Sequence, residues 1–241
     1  MSVIVSREDA NDAARNDFER TLAGLLADAG RAIIVTPHLY HVAEDDDLWG
    51  ELAEIDGPVV LASWLHPRPA EWLARRHGVG RGGLCAVDMR KFASPRLCAD
   101  ACIEHSPRGD EGAVRELTAA TADRWYPVID RDRCINCAQC MQFCLFGVYS
   151  LDDDKKVRVS HPDKCKPGCP ACARLCPRSA IMFPLYESDE AIAGAPGRFV
   201  VPDDAARAMF EKRTKRPHRA ANNADLDALI DDLDKLTGGR P

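Results

Sequence analysis

The sequence predicts an open parallel-sheet α/β domain, followed by a small α+β domain and a terminal helix. In the first half, β-branched or apolar runs recur about every 25 residues, and apolar residues between them have helical spacing. After Trp125 this periodicity stops, and cysteine, proline and glycine become frequent. We therefore predict three segments, at 1–122, 123–188 and 189–241.

Alternating strands and helices make up the predicted α/β domain. Candidate strands lie at 31–36, 58–63 and 83–88, and the helices between them lie at 45–55 and 69–77. A longer helix precedes the first strand, because Phe18, Leu22 and Leu26 share one face. Ser94 followed by Pro95 is typical of a helix start, so a last helix is expected to run to about residue 105.

The second predicted domain contains an internal repeat. The segment 128–134 (VIDRDRC) is echoed by 159–165 (VSHPDKC), and each half ends in an apolar strand, at 148–151 and 180–183. A run of closely spaced cysteines lies inside each half of the repeat. The second domain is therefore expected to consist of two similar halves.

Cysteine number and spacing point to metal. The chain has 11 cysteines, an odd number, and close spacing in a reducing compartment favours metal ligation over disulfides. The two runs consist of Cys134, Cys137, Cys140 and Cys144, and of Cys165, Cys169, Cys172 and Cys176. Iron or zinc is the expected metal.

These runs, with Pro177 after the last cysteine, resemble the bacterial-type two-cluster 2[4Fe-4S] ferredoxins over residues ~125–185. In that family three thiolates of a run hold one cluster, and the fourth begins a helix and points to the other cluster. The resemblance therefore implies two [4Fe-4S] clusters. It assigns the first to Cys134, Cys137, Cys140 and Cys176, and the second to Cys165, Cys169, Cys172 and Cys144.

Two departures from the family pattern affect the loops. Leu145 stands where the family usually has proline, and one extra residue separates Cys165 from Cys169. Pro167 and Gly168 accompany that residue and can close a tight turn. A pair of four-cysteine zinc knuckles is the alternative for the metal.

A cluster bound by four thiolates needs a dry apolar shell around its negative charge. The expected shell residues are Ile135, Phe143, Phe146, Val148, Tyr149, Ile181 and Phe183. In so small a domain these side chains also have to build the core.

Other metal-ligating residue types occur in the α/β domain. Cys85, Cys98 and Cys102 are interpreted either as a third metal site or as small buried hydrophobes, and the tight two-residue spacing of a metal loop is absent. His38, His41 and His66 follow candidate strands, where parallel sheets bind ligands. The alternatives for them are a ligand or metal site, or capping and interdomain hydrogen bonds.

The segment 189–241 is predicted to be a linker followed by a short acidic amphipathic helix. Its apolar stripe consists of Leu226, Leu229, Ile230, Leu233 and Leu236. The helix is too short to be stable alone. We consider three roles for it: docking to a redox partner, packing on its own domain, and a solvated tail.

The net charge and the hydropathy of the sequence argue against nucleic-acid binding and against a membrane span. The net charge of −6 argues against nucleic acid as the main partner, because phosphate binding needs a concentrated basic face. No run of eighteen apolar residues and no signal-like start are found, so a cytoplasmic protein without a membrane span is expected.

The leading hypothesis is electron transfer by a carrier or oxidoreductase subunit with two low-potential clusters, partnered by a flavoprotein or a larger oxidoreductase. One alternative is a redox enzyme whose α/β domain binds a small molecule or metal and uses the clusters as a wire. The other is an iron-sulfur assembly or adaptor protein. The sequence assigns no catalytic residue.

Overall fold

A computed structural model describes residues 2–8, 12–106 and 112–196 of the chain. The predicted terminal helix and most of the linker lie outside these residues. Residues 1–200 form one compact unit. No helix in the described part of the chain is long and apolar enough to cross a bilayer.

The expected parallel α/β sheet is present and has five strands. They are β1 (Ser2–Ser6), β2 (Ala32–Thr36), β3 (Val59–Ser63), β4 (Leu84–Asp88) and β5 (Val114–Glu116). Their order is β4-β3-β1-β2-β5, and every pairing is parallel. β1, which the sequence analysis did not predict, lies at the centre of the sheet.

Four helices cover the two faces of this sheet. They are α1 (Ala13–Asp28), α2 (Asp47–Ala53), α3 (Pro67–Arg76) and α4 (Pro95–Glu104). Alternate residues of β1 point to opposite faces: Val3 and Val5 pack with α1 and α4, and Ile4 packs with α2 and α3. Ser94 caps α4 through the Leu97 N–H, as the sequence predicts.

The cysteine-rich part, whose strands and helices lie between Val128 and Ala193, contains two small antiparallel pairs of strands. β6 (Val128–Ile129) pairs with β9 (Ile181–Met182), and β7 (Tyr149–Leu151) pairs with β8 (Val157–Val159). Three short helices complete it, α5 (Gln139–Phe143), α6 (Ala171–Leu175) and α7 (Glu190–Ala193). The apolar strands expected at the ends of the two repeats are β7 and β9.

The α/β part and the cysteine-rich part share one hydrophobic core. Tyr126, Val128 and Met182 pack in the same buried cluster as Leu61 and Leu73. The predicted boundary at residue 122 therefore runs through a continuous apolar contact, and the division into domains stays a prediction.

Two tyrosines join these parts by reciprocal hydrogen bonds. The Tyr40 hydroxyl donates to the Tyr126 carbonyl oxygen at 2.6 Å and accepts from the Tyr126 N–H at 2.7 Å. The Tyr126 hydroxyl donates to the Tyr40 carbonyl oxygen at 3.0 Å, and the two rings stack. All of these polar groups are buried, so each depends on its protein partner.

Candidate metal centre

The first cysteine run forms a tight loop attached to β8. Asn136 and Ala138 have φ angles of 54° and 56°, in the left-handed region that residues other than glycine seldom adopt. Asn136 Nδ2 donates to the Lys155 carbonyl oxygen at 2.8 Å, and Asn136 Oδ1 accepts from the Val157 N–H at 2.7 Å. These two bonds hold the loop in its strained conformation.

One cavity brings together cysteines from both runs. Its thiol lining consists of Cys134, Cys137, Cys140 and Cys176, and Ile129, Ile135 and Ile181 contribute apolar surface. These are the four cysteines that the resemblance assigns to the first cluster. Their role as its ligands stays a prediction.

Backbone amides point at several of these thiols. The Ala180 N–H donates to Cys176 Sγ at 3.3 Å. Burial raises the pKa of Cys134, and a hydrogen bond from the Asn136 backbone opposes that shift. N–H groups in such positions stabilise thiolate charge. The cavity therefore suits a group that binds thiolates.

The other four cysteines affect one another electrostatically. Burial, and then the neighbours Cys172, Cys169 and Cys144, raise the pKa of Cys165 to about 12. Burial also raises the pKa of Cys172 to about 11, against a hydrogen bond with Tyr149. Thiols with such high pKa values ionise at neutral pH when a cation replaces their protons.

The helices near the fourth cysteines differ from what the family suggests. α5 ends at Phe143 and α6 ends at Leu175, so Cys144 and Cys176 follow a helix rather than begin one. Both cysteines have extended backbone conformations. For Cys176 the cause is Pro177, since the residue before a proline is disfavoured in the helical region.

The extra residue of the second run is accommodated by a turn. The Cys169 N–H donates to the Lys166 carbonyl oxygen at 3.1 Å, and Gly168 has a φ of 73°. A side chain at that φ would be strained, so glycine suits the position. The turn expected from Pro167 and Gly168 is confirmed.

The expected apolar shell is only partly present. Val148, Tyr149, Ile181 and Phe183 are buried together. Phe143 and Phe146, however, are 52% and 41% exposed, and Leu145 between them is 93% exposed. The prediction that Phe143 and Phe146 are shell residues was therefore wrong. These three side chains form an apolar surface beside Cys144.

The α/β part contributes a charge that the sequence analysis missed. Arg68, in the first turn of α3, forms an ion pair with Asp130 at 3.1 Å and donates to the Ser179 carbonyl oxygen at 2.7 Å. Burial lowers the pKa of Arg68, and nearby Asp130 and Cys176 oppose this. No local sequence signal links Arg68 to residues more than 60 positions away.

Two of the remaining three cysteines lie in the hydrophobic core, and Cys85 is only partly buried. Cys98 and Cys102 are fully buried against the sheet, which fits the interpretation as small hydrophobes. Burial raises the pKa of Cys85, and the nearby Glu71 and Cys102 add to that rise. Among the described residues, no three His, Cys, Asp or Glu side chains converge to hold a single metal ion.

The three histidines lie in different environments. His38 and His41 are buried with ring centroids 4.6 Å apart. His41 Nδ1 accepts from the Arg124 N–H at 3.2 Å, a bond across the predicted boundary. His66 occupies the N-cap position of α3 without a side-chain capping bond, and its Nδ1 lies 3.7 Å from Asp88 Oδ2.

His38 is expected to make the fold sensitive to acid. Burial, and then His41, lower the pKa of His38 to about 3. Below pH ~6.5 the unfolded chain takes up a proton that the folded chain does not, so stability falls as pH drops from there toward 3. At pH 5 the free energy of unfolding is expected to be about 2 kcal/mol lower than at neutral pH because of His38. The variant His38→Gln should not show this decrease.

Melting temperatures of the wild type and His38→Gln between about pH 8 and 5 check this expectation. The exposed His161→Gln is the control and should melt with the pH dependence of the wild type. If the melting temperatures of the wild type and His38→Gln changed equally with pH, His38 would not be the source of the acid sensitivity.

Comparison with known proteins identifies relatives of the cysteine-rich part. An uncharacterized ferredoxin of Methanocaldococcus jannaschii is 46% identical over 25% of this chain and 41% of its own length. Ferredoxin-3 of Nostoc is 37% identical over 21% of this chain and 69% of its own length. The chain belongs to the ferredoxin family.

A third relative of this ferredoxin is pyruvate synthase subunit PorD of Methanothermobacter marburgensis, 35% identical over 30% of this chain and 82% of its own length. The matches cover the C-terminal part of the chain, and the first relative is spanned over less than half of its length. The similarity to these relatives supports a role for this chain in iron-sulfur electron transfer. No protein-family model matches the chain.

Proposed function

We propose that this ferredoxin is a cytoplasmic electron carrier or electron-transfer subunit holding two [4Fe-4S] clusters. Each cluster would accept and donate one electron at low potential. The first would be held by Cys134, Cys137, Cys140 and Cys176, and the second by Cys165, Cys169, Cys172 and Cys144.

The grouping of thiols in one cavity carries this proposal. Cys176 lies 32 or more residues from the cysteines of the first run, yet it shares a cavity with Cys134, Cys137 and Cys140. Such an exchange of the fourth cysteine between runs is characteristic of two-cluster ferredoxins. Zinc knuckles bind each ion with the cysteines of one run, so they do not need a cysteine from the other run.

The surrounding residues would tune and protect the clusters. The amide of Ala180 donates to Cys176 Sγ, and Arg68 places a positive charge near that thiol. Both stabilise negative charge there, and so favour the reduced state. Phe183 is fully buried in the apolar cluster against which cysteines of both groups pack, and would help to exclude water from it.

A redox partner is part of the proposal. The PorD relatives are named as subunits of pyruvate synthase, so a larger oxidoreductase is the proposed class of partner. Phe143, Leu145 and Phe146 expose apolar side chains next to Cys144 in the chain, and this surface is the proposed docking face for the partner. Docking through the terminal helix is a further proposal, on residues outside the described ones.

A second candidate function is a redox enzyme with a ligand site in the α/β part. A cavity of about 680 Å³ lies at the carboxyl edge of the sheet, where parallel sheets bind ligands, and is lined by Arg7, Glu19, His38 and Glu116 among others. Glu19 Oε2 and His38 Nδ1 are buried there without hydrogen-bond partners among the described residues. A small molecule could satisfy both atoms.

Metal and sulfide analysis tests the leading proposal. Protein purified without oxygen is expected to contain about eight irons and about eight acid-labile sulfides per chain. About four irons would contradict the two-cluster claim, and zinc without sulfide would favour the zinc knuckles. About twelve irons would indicate a third site at Cys85, Cys98 and Cys102.

A further inference from the structure

A cleft between α3 and the cysteine-rich part is lined by four arginines. Its volume is about 490 Å³, within the range of small-molecule sites. The arginines are Arg75, Arg76, Arg131 and Arg158. Two come from α3, and two come from the cysteine-rich part, so the tertiary fold alone brings them together.

The positive charge of this cleft is incompletely neutralised. Arg76 forms an ion pair with Glu44, with Nη2 2.6 Å from Oε2. Arg75 forms a longer ion pair with Glu71, with Nη2 3.8 Å from Oε2. Glu44 and Asp152 also line the cleft, and among the described residues neither forms an ion pair with Arg131 or Arg158. Arg131 instead donates to the Val157 carbonyl oxygen at 2.5 Å, which leaves most of its N–H groups unused.

Two atoms in the cleft lack hydrogen-bond partners. Arg76 Nη1 and Glu44 Oε1 are buried without one among the described residues. Burial also raises the pKa of Glu44, with Arg76 opposing that shift. Because these two atoms are buried, an anion in the cleft would instead meet the exposed guanidinium groups of Arg131 and Arg158, which are ready donors for anionic oxygens. Trp72, partly buried on the same wall, adds an apolar surface beneath the arginines.

The cleft adjoins the cavity of the first cysteine group. Ile129 of β6 lines both. Arg131 lies two residues further along the chain, and its positive charge partly opposes the rise in the pKa of Cys134 that burial causes. A charge bound in the cleft would therefore lie one side chain away from the proposed first cluster.

We propose that this cleft binds a small anion carrying two or more acidic oxygens, of phosphate or carboxylate type. Arg131 and Arg158 donate to it from the cysteine-rich part, and Arg75 and Arg76 donate from α3. Guanidinium groups suit this chemistry because each presents paired N–H donors that match two oxygens of one acidic group. Binding would link the α/β part to the cysteine-rich part.

Calorimetric titration of the full-length, cluster-loaded protein tests the site, with inorganic phosphate and succinate as probes at low ionic strength. At least one probe is expected to bind with a dissociation constant near or below about 1 mM. Tighter binding of phosphate would identify the phosphate class, and tighter binding of succinate the carboxylate class. Affinity should fall as salt is added, because the site is open to solvent.

Arg131→Gln and Arg158→Gln are each expected to weaken binding about tenfold, the loss of one charge-assisted contact. Arg115→Gln is the matched control: Arg115 is exposed, pairs with Glu51 outside the cleft, and its loss removes the same charge. It should bind within about twofold of the wild type. Cluster absorbance and melting temperature, unchanged in all three variants, show that the fold is intact.

Arg158→Lys keeps the charge and loses the paired donors, so an affinity between those of the wild type and Arg158→Gln is expected. Failure of both probes to bind the wild type, or equal affinity of the wild type and both glutamine variants, would overturn the proposal. Cluster content is measured separately in every sample, so a missing cluster is not mistaken for a missing anion site.

Discussion

Replacing Cys176 with alanine is expected to remove the first cluster while the second remains. Iron should fall from about eight to about four per chain, although every cysteine of the first run is intact. The physical reason is that three thiolates leave one iron of the cluster without its protein ligand. Iron analysis and the electron paramagnetic resonance spectrum of the reduced protein provide the measurement.

Single variants of the two runs identify the cluster that is lost. Cys176→Ala should give the same residual spectrum as Cys134→Ala, and Cys144→Ala should give that of Cys165→Ala. Cys98→Ala is the control, since Cys98 lies in the core of the α/β part, and its iron content should stay at about eight. A Cys176→Ala spectrum matching Cys165→Ala would refute the exchange of fourth ligands.

Tyr40→Phe is expected to destabilise the protein by about 2 to 4 kcal/mol. The change removes one hydroxyl but leaves both the N–H and the carbonyl oxygen of Tyr126 buried without their partner. The ring stack with Tyr126 is kept, so lost packing contributes little. Denaturant unfolding of the loaded protein, followed by far-ultraviolet circular dichroism, measures the change.

Tyr186→Phe is the matched control for this loss. The Tyr186 hydroxyl accepts from Arg174 at 2.7 Å in an exposed position, where water can replace the phenol. Its cost should stay below about 1 kcal/mol. If both variants lost the same free energy, the Tyr40 and Tyr126 bonds would not be what joins the two parts.

Local sequence patterns were sufficient for most elements of the α/β part. Predicted helices at 45–55 and 69–77 correspond to α2 (Asp47–Ala53) and α3 (Pro67–Arg76), and three predicted strands match β2, β3 and β4. These elements have strong periodicity and clear turn or cap residues. Patterns of this kind act over a few residues, so sequence alone reveals them.

Local sequence patterns did not predict two strands of the sheet. β1 is a run of only five residues, and its central place depends on pairing with β2 and β3. β5 (Val114–Glu116) is exposed throughout and has no apolar signal. Backbone hydrogen bonds to β2 alone make it a strand.

The sequence by itself predicted metal binding by cysteine thiolates, because the spacing of Cys134, Cys137 and Cys140 can be read within ten residues. Tertiary structure alone decided what surrounds those thiols. It brought Cys176 into their cavity, placed Arg68 of α3 near that cysteine, and exposed Leu145. Ligand spacing is a property of neighbours in the chain, whereas charge, burial and the arginine cleft depend on contacts between segments that only the folded chain brings together.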